Sequence, residues 1–223
     1  MLVEEWMTSD VISITADSSM MKASRLMKTN KIRRLPVVDV NNVLVGILTD
    51  HDVKSAQPSK ATTLEVHEVY YLLSELKVKD VMTANPMRAK RTDSVEWVAL
   101  MMARHTFGGM PVVDEENKIC GIITESDIFK LLVQITGIKH GGIQLAFELP
   151  NKSGQLRPIL DELRTCEAQV VSILTSQESL DSALRRVYIR LRKLDEAGEK
   201  RVVDAVKAAG FPLLYWEAGV VAE

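Results

Sequence analysis

Gly46-Ile47-Leu48-Thr49-Asp50-His51-Asp52 returns 75 residues further on as Gly121-Ile122-Ile123-Thr124-Glu125-Ser126-Asp127, and its flanks repeat in the same register without a gap. Met7-Thr8 returns as Met82-Thr83, and Pro36-Val37-Val38-Asp39 as Pro111-Val112-Val113-Asp114. Self-similarity at a fixed period marks repeated supersecondary units that bury their apolar faces against one another. Each copy is about fifty residues, roughly 3–53 and 78–132, too short to enclose a good core alone. The two copies are therefore expected to pack as one module over residues 1–137, with 54–77 inserted between them.

Each copy reads as β-α-β-β-α. Val11–Ile14 and Pro86–Ala89 are short extended segments leading into a helix. Met20, Ala23, Leu26 and Met27, matched by Val95, Val98, Met101 and Met102, fall at helical spacing and form a core face. Asp93 with Glu96 has capping-box spacing, and Asp17 and Ser18 offer cap oxygens in the first copy. Leu35–Asp39 and Val43–Leu48 are β-rich runs joined through Asn41-Asn42. Met110–Asp114 and Ile119–Ile123 do the same around Glu116-Asn117, so both pairs read as hairpins. The insertion opens as a loop with Ser55, Gln57, Pro58 and Ser59 and continues as an amphipathic helix over Leu64–Leu73.

After Leu132 the repeat stops, and Thr136-Gly137 and Gly141-Gly142 mark a linker at about 137–142. The rest, 143–223, reads as strand, helix, strand, strand, helix, strand: Ile143–Leu149, Gln155–Thr165, Gln169–Thr175, Val187–Leu194, Lys200–Ala209 and Pro212–Trp216. Ile143, Leu145, Phe147 and Leu149 alternate with polar or small residues, as do Val187, Ile189 and Leu191, so one sheet face is covered by two helices. Tyr188, Arg190 and Arg192 fall on the other face, as an interface or a charged exposed surface. The order is ferredoxin-like βαββαβ, and the fold class is α+β.

Composition limits the function. The chain has 223 residues, 46% hydrophobic and 26% charged, an ordinary globular balance. Its 28 lysines and arginines against 30 acidic residues leave a net charge of −2, and residues beyond Gly137 carry 12 of each sign. No general pull toward nucleic acid or anionic membrane follows from that balance. No apolar run approaches the ~18 residues of a membrane span, and Glu4 and Glu5 stand where a secretory signal is basic. A cytoplasmic location is expected. Cys120 and Cys166 read as buried free thiols, and His67 and His140 have no visible metal-ligand partners. No nucleophile with a base, Walker lysine loop or Cys-x-x-Cys motif is present, so an enzyme is not expected.

The Gly-apolar-apolar-Thr-x-x-Asp stretch, complete in both copies with Met-Thr upstream and Pro-Val-Val-Asp between, resembles the strand-to-helix motif of CBS domains, whose pairs are called Bateman modules. Leu149-Pro150-Asn151-Lys152-Ser153-Gly154-Gln155-Leu156 resembles the first turn of an ACT domain. The order CBS, helical insertion, CBS, ACT is similar to the acetoin utilization B-type (AcuB-type) regulatory proteins of bacteria. The resemblance implies a non-catalytic regulator that senses AMP, ADP, ATP, S-adenosylmethionine or a related adenosyl ligand, pairs as a homodimer and signals to a partner the sequence does not name.

By the same resemblance, Thr49 and Thr124 lie by the phosphates, at helix N-termini whose unpaired N–H groups favour anions. Asp52 and Asp127 hold ribose hydroxyls, and Ile12, Ile14, Leu35, Met87, Ala89 and Met110 line the adenine slot. Arg33 and Arg34 stand where nucleotide-binding members carry a basic pair, and arginine suits phosphate. Gly108 and Gly109 replace them in the second copy and imply weaker phosphate binding, a bare nucleoside or no ligand in the other cleft, while His51 and His105 are additional candidates or plain surface residues. Threonine followed by aspartate is equally a helix cap, and the arginine pair equally a solvated one. In the ACT-like turn the ligand residues are Asn151, Gly154 and Leu156, with Asn151 where amino-acid binders carry an acid. A dimeric scaffold or an amino-acid-responsive regulator acting through that turn is the alternative.

Overall fold

Asp39 and Asp114 close the two repeated hairpins in the same way. In a computed structural model describing residues 1–56, 73–179 and 181–218, Asp39 Oδ1 accepts from the N–H groups of Asn41 and Val43 at 2.8 and 2.9 Å. Asp114 Oδ1 accepts from Glu116 and Lys118 at 3.0 and 2.9 Å. Asn42 and Asn117 then take the left-handed conformation, with φ of 64° and 61°, which asparagine tolerates better than most residues. The chain divides into two units, Met1–Phe129 and Lys130–Glu223.

In the first unit the first copy runs β1 (Ile14–Thr15), α1 (Met20–Asn30), β2 (Arg34–Val38), β3 (Leu44–Thr49) and α2 (Asp50–Ser55). The second runs β4 (Thr83–Ala84), β5 (Ala89–Lys90), α3 (Val95–His105), β6 (Gly109–Val113), β7 (Ile119–Thr124) and α4 (Glu125–Thr136), the last helix continuing past the division. The expected segments Val11–Ile14 and Pro86–Ala89 pair only at their ends, Ile14-Thr15 with Val37-Val38 and Ala89-Lys90 with Val112-Val113. The expected helix over Leu64–Leu73, with His67, lies outside the described residues except for Leu73, which packs into the first core.

The copies are interleaved. Thr83-Ala84 of the second adds an antiparallel strand to β3 of the first, opposite Gly46 and Ile47. Thr8 of the first bonds reciprocally with Ile122 of the second at 2.9 and 3.0 Å. The glycine of each motif lets the crossing methionine lie against the strand, because a Cβ at Gly46 would displace Met82 Sδ and one at Gly121 would displace Met7 Sδ. The hairpins also bond across the copies, Leu44 N–H to Asn117 O and Ile119 N–H to Asn42 O, each at 3.0 Å. These reciprocal pairs give the unit a local two-fold relation.

The helix caps differ from the sequence expectation by one or two residues. Ser19 and Ser94, both extended, cap α1 and α3 by accepting from Lys22 and Trp97 N–H at 3.3 and 3.1 Å. Asp93 instead accepts from Lys90 N–H at 2.8 Å, and Ser18 bonds Thr15 at 2.9 Å, so both tighten the preceding turn. Met20, Ala23 and Met27 face the core with Ile14, Leu35, Val37 and Leu48, and Val95, Val98 and Met102 are their buried counterparts.

The second unit runs β8 (Ile143–Pro150), α5 (Arg157–Thr165), β9 (Val170–Ser176), β10 (Leu184–Leu191), α6 (Glu196–Ala208) and β11 (Leu213–Ala218). Its antiparallel sheet has the order β11-β8-β10-β9, the ferredoxin-like arrangement with two helices. Ile143, Leu145, Phe147, Val187, Ile189 and Leu191 meet Ile159, Leu163, Val202 and Val206 in one core. Several boundaries shift from the reading of the sequence, among them the end of β10 from Leu194 to Leu191 and two element starts. β10 starts at Leu184, because Leu184, Arg185 and Arg186 pair with Pro150, Leu149 and Glu148 despite their polarity. α6 starts at Glu196, because Asp195 caps it by accepting from Gly198 N–H at 2.8 Å.

Of the two arginines expected on a charged outer face, Arg192 is exposed and Arg190 is not. Arg190 is 6% exposed, and Arg192 lies beyond β10, bonded to Gln169 through its backbone and its guanidinium. Among the described residues, no helix is long and apolar enough to cross a membrane.

Candidate functional site

At the β3–α2 junction Thr49 is extended and acts as N-cap. Its N–H and Oγ1 both donate to Asp52 Oδ2, at 2.8 and 2.7 Å, and Asp52 N–H donates back to Thr49 Oγ1 at 3.2 Å. The β7–α4 junction repeats this, Thr124 N–H and Oγ1 donating to Asp127 Oδ2 at 3.0 and 2.7 Å. The Thr49–Asp52 pair thus closes a reciprocal cap, and Thr124 and Asp127 share its donor-to-carboxylate half. The aspartates differ in access, since Asp52 is half-buried and Asp127 is 5% exposed.

A cavity of about 340 Å³ opens beside Thr49. Arg34, Ile47, Thr49, Asp50 and His51 of the first copy line it together with Thr83, Pro86, Met87, Phe107, Gly108, Gly109 and Pro111 of the second, and Thr106 completes the wall. Most of the walls are apolar, and Arg34 supplies a permanent cation. The Arg34 guanidinium makes no side-chain hydrogen bond or ion pair within 4 Å among the described residues, although the Glu125 carboxylate stands beside it over Gly108. Arg34 lies along Gly108 and Gly109, where a Cβ on Gly109 would stand 2.8 Å from its Cδ and 3.1 Å from its Nε. Asp50 is already occupied: a 2.9 Å hydrogen bond from Lys54 holds its carboxyl below the usual range, helped by the charges of Lys54, Arg33 and Arg34.

The sequence-selected residues are distributed unevenly around this cavity. Arg34, Thr49 and Met87 line it, and Asp52 lies one step behind Thr49. Arg33 faces a neighbouring hollow with Ser24, Lys28, Asp50 and Lys54. Leu35 and Met110 are fully buried on the opposite face of their strands, as are Ile14 and Ala89, while Ile12 packs partly buried against the first core. Strand alternation explains the difference, because Gly109 and Pro111 face the cavity and Met110 between them must face the core. The same alternation places Ile47 and Thr49 on the cavity side of Leu48. Gly108 and Gly109, assigned to the other cleft by the sequence reading, share this one with Arg34, because the local two-fold brings the starts of β2 and β6 together. His105 lies outside it, stacked on Phe107 at 6.2 Å. No group of three His, Cys, Asp or Glu side chains among the described residues is placed to hold a metal ion.

In the second unit Asn151 is committed locally. Its N–H donates to Ala183 O at 2.8 Å and its Nδ2 to Ser182 O at 3.2 Å, tying the turn after β8 to the β9–β10 connection. Gly154 has a φ of 84° with open space around its Cα, and Leu156 packs on the core of the unit.

Comparison with known proteins places this geometry. A CBS domain-containing protein of Dictyostelium discoideum is 31% identical over 134 residues, covering 60% of this chain and 92% of its own. The inosine-5'-monophosphate dehydrogenase of Methanocaldococcus jannaschii is 35% identical over 127 residues, but these cover only 23% of that enzyme. Among solved structures, CBSX2 in complex with AMP is 28% identical with a TM-score of 0.51, covering 60% of this chain and 97% of its own. The CBS domain pair of protein MJ0100 in complex with 5'-methylthioadenosine and S-adenosyl-L-methionine is 28% identical with a TM-score of 0.50, covering 59% and 95%. AcuB of Vibrio cholerae, 26% identical with a TM-score of 0.51 over 62% of this chain and 94% of its own, is a more distant likeness. The CBS domain model matches residues 3–59 and 78–134, half of the chain and both copies of the repeat, so the chain belongs to the CBS-domain family and carries a tandem CBS pair.

Proposed function

We propose that the tandem pair is a non-catalytic sensor of an adenosyl ligand, seated in the cavity between Arg34 and Met87. The observation that carries this reading is the lining itself. One cavity, within the roughly 300–1,000 Å³ range of small-molecule sites, combines an unpaired guanidinium, a threonine at a helix N-terminus and apolar walls. Arg34 suits a phosphate or carboxylate, Thr49 borders it with its own donors held by Asp52, and Ile47, Pro86, Met87 and Pro111 suit a purine face. The complexes of CBSX2 with AMP and of MJ0100 with S-adenosyl-L-methionine support the ligand class.

Regulation follows from which residues contribute. A ligand touching Arg34 and Thr49 of one copy and Met87 and Gly109 of the other favours the arrangement in which both sets converge, and shifts the population toward it. The effect it exerts on a distant partner is bounded by that differential affinity. A partner protein reads this shift, with the ferredoxin-like unit as the output; the AcuB likeness offers acetoin utilization as one physiological setting. Amino-acid sensing at the Asn151 turn draws no support from the geometry, since that amide is already held by Ser182 O.

The test is calorimetric titration of the full chain with adenosine, AMP, ADP, ATP and S-adenosylmethionine, repeated on Arg34→Ala. At least one compound binds the native chain, and the variant loses about tenfold or more for phosphate-bearing ligands, the scale of one charge-assisted contact. Absence of binding by all five compounds overturns the reading.

A further inference from the structure

Comparison of the two copies picks out a carboxylate that lacks its counter-charge. At the 75-residue offset Asp50 corresponds to Glu125 and Lys54 to Phe129. Asp50 opens α2, and Lys54 one turn on holds it at 2.9 Å. Glu125 opens α4 in the same way, but Phe129 stands where that lysine would be. Among the described residues the Glu125 side chain makes no hydrogen bond or ion pair. Its N–H donates to Gly108 O at 3.1 Å, which fixes the start of α4 beside the residue that precedes β6.

That bond sets the carboxylate at the Gly108 rim of the cavity. A Cβ added at Gly108 would overlap both Arg34 Nη2 and Glu125 Oε2. The guanidinium of the first copy and the carboxylate of the second thus converge above one glycine, close together yet farther apart than an ion pair. The reverse arrangement does not exist, because Gly109 occupies the position of Arg34 in the second copy and Asp50 is held by Lys54. Charges around the cavity therefore cancel, Arg34 against Glu125 and Lys54 against Asp50. A lone guanidinium attracts any anion, and more so as phosphates are added. With Glu125 beside it, every phosphate beyond the first meets a carboxylate.

We infer that Glu125 determines the specificity of this cavity, and that with Arg34 it recognises a zwitterionic α-amino-acid group on the adenosyl ligand. The ligand carboxylate lies on the Arg34 guanidinium and its ammonium on the Glu125 carboxylate, so that one group bridges two charges that do not pair directly. The class selected, which rests on the sensor reading and narrows it, is an adenosyl amino acid in preference to a nucleoside di- or triphosphate. The apolar wall of Ile47, Pro86, Met87 and Pro111 is left for the purine.

Calorimetric titration of the full chain with S-adenosylmethionine, S-adenosylhomocysteine, 5'-methylthioadenosine and ATP tests it, on the native protein and on Glu125→Gln. S-adenosylhomocysteine carries the amino-acid group and 5'-methylthioadenosine has the thioether without it, so their difference isolates that group. In the native chain S-adenosylhomocysteine binds about tenfold or more tighter than 5'-methylthioadenosine and ATP, the scale of one charge-assisted contact. Glu125→Gln loses most of that advantage, binds ATP more tightly and binds 5'-methylthioadenosine as the native chain does, which also shows that the variant folds. ATP bound by the native chain as tightly as S-adenosylhomocysteine overturns this inference and leaves the sensor reading standing. An unchanged affinity of Glu125→Gln for S-adenosylhomocysteine, or equal losses for it and 5'-methylthioadenosine, does the same. Absence of binding by every adenosyl compound overturns both.

Discussion

Arg34 of the first repeat lies across Gly109 of the second, and the two occupy the same position of the repeat, 75 residues apart. They meet because β2 and β6 start next to the local two-fold relation of the pair. One copy supplies a guanidinium there and the other supplies the space it lies in.

Gly109→Val fills that space. Arg34 is a flexible side chain and yields, so stability changes little, but its guanidinium leaves the cavity wall. Affinity for AMP falls by about tenfold, the scale of one charge-assisted hydrogen bond, while adenosine is affected less. Calorimetric titration of both ligands checks the split, and equal losses for the two contradict it.

Gly46→Ala places a methyl group on Met82 Sδ and 3.2 Å from Thr83 O. Overpacking of this kind costs about 1–3 kcal/mol. Met82→Ala in the same chain recovers part of that loss, giving a non-additive cycle, because the two residues are in direct contact. Urea unfolding of the two single variants and the double variant measures the coupling, and simple additivity refutes the interleaved packing.

Asp127→Ala destabilises more than Asp52→Ala. Asp127 is nearly inaccessible, so its removal leaves Thr124 N–H and Oγ1 without an acceptor and without water, at about 1–3 kcal/mol. Asp52 is half-buried, and water replaces part of what is lost. Equal midpoints for the two variants in urea contradict this ranking. Ligand titrations on Asp127→Ala need that correction before a loss of affinity is assigned to contact.

Arg190→Met leaves stability unchanged or raises it. Arg190 Nη2 donates to Gln144 Oε1 at 2.6 Å, but its Nε and Nη1 are buried without a partner, at 6% residue exposure. Replacement by an apolar side chain of similar length removes two unsatisfied donors, each a desolvation cost of about 1–3 kcal/mol, against the loss of one hydrogen bond to Gln144. Thermal and urea unfolding test it, and a clear loss of stability means that the guanidinium has a stabilising role its two unpaired nitrogens do not reveal.

Asp50 gives a pH dependence whose sign is fixed. The hydrogen bond from Lys54 lowers its native pKa below 3.8, so its stabilising contribution is complete above the unfolded value and vanishes as the pH falls through the native one. With Asp50 and Lys54 side chains 38% and 73% exposed, that contribution is only about 0.3–0.5 kcal/mol. Asp50→Asn is therefore slightly less stable at neutral pH, and the two unfolding curves converge in acid. A difference that persists below the carboxylate range places its source elsewhere.

The gapless 75-residue repeat carries the two sheets, the helices and the hairpins with their asparagine turns, because period and alternation are properties of neighbouring residues. The ferredoxin-like order of the second unit is legible for the same reason, from alternation in Ile143–Leu149 and in Val187–Leu191. Thr49, Arg34 and Met87 at the cavity were also within reach of the repeat and its motif. Leu35 and Met110, expected by resemblance at the adenine slot, are buried in this structure, and the alternation in Gly109-Met110-Pro111 is what turns Met110 inward. Boundaries were missed where a polar residue decided them: Ser94 in place of Asp93 as cap, Asp195 ahead of α6, and Arg185-Arg186 inside a strand.

The sequence alone was enough to show that two like units exist and what each is built from. Only the tertiary structure decided that Met7 and Met82 cross to the other copy's glycine, that Asn151 is spent on Ser182, and that Arg34 and Gly109 share one cavity. Those facts depend on pairings between residues tens of positions apart. Local pattern sets which elements form, whereas the strand exchange and the local two-fold relation choose which side chains meet.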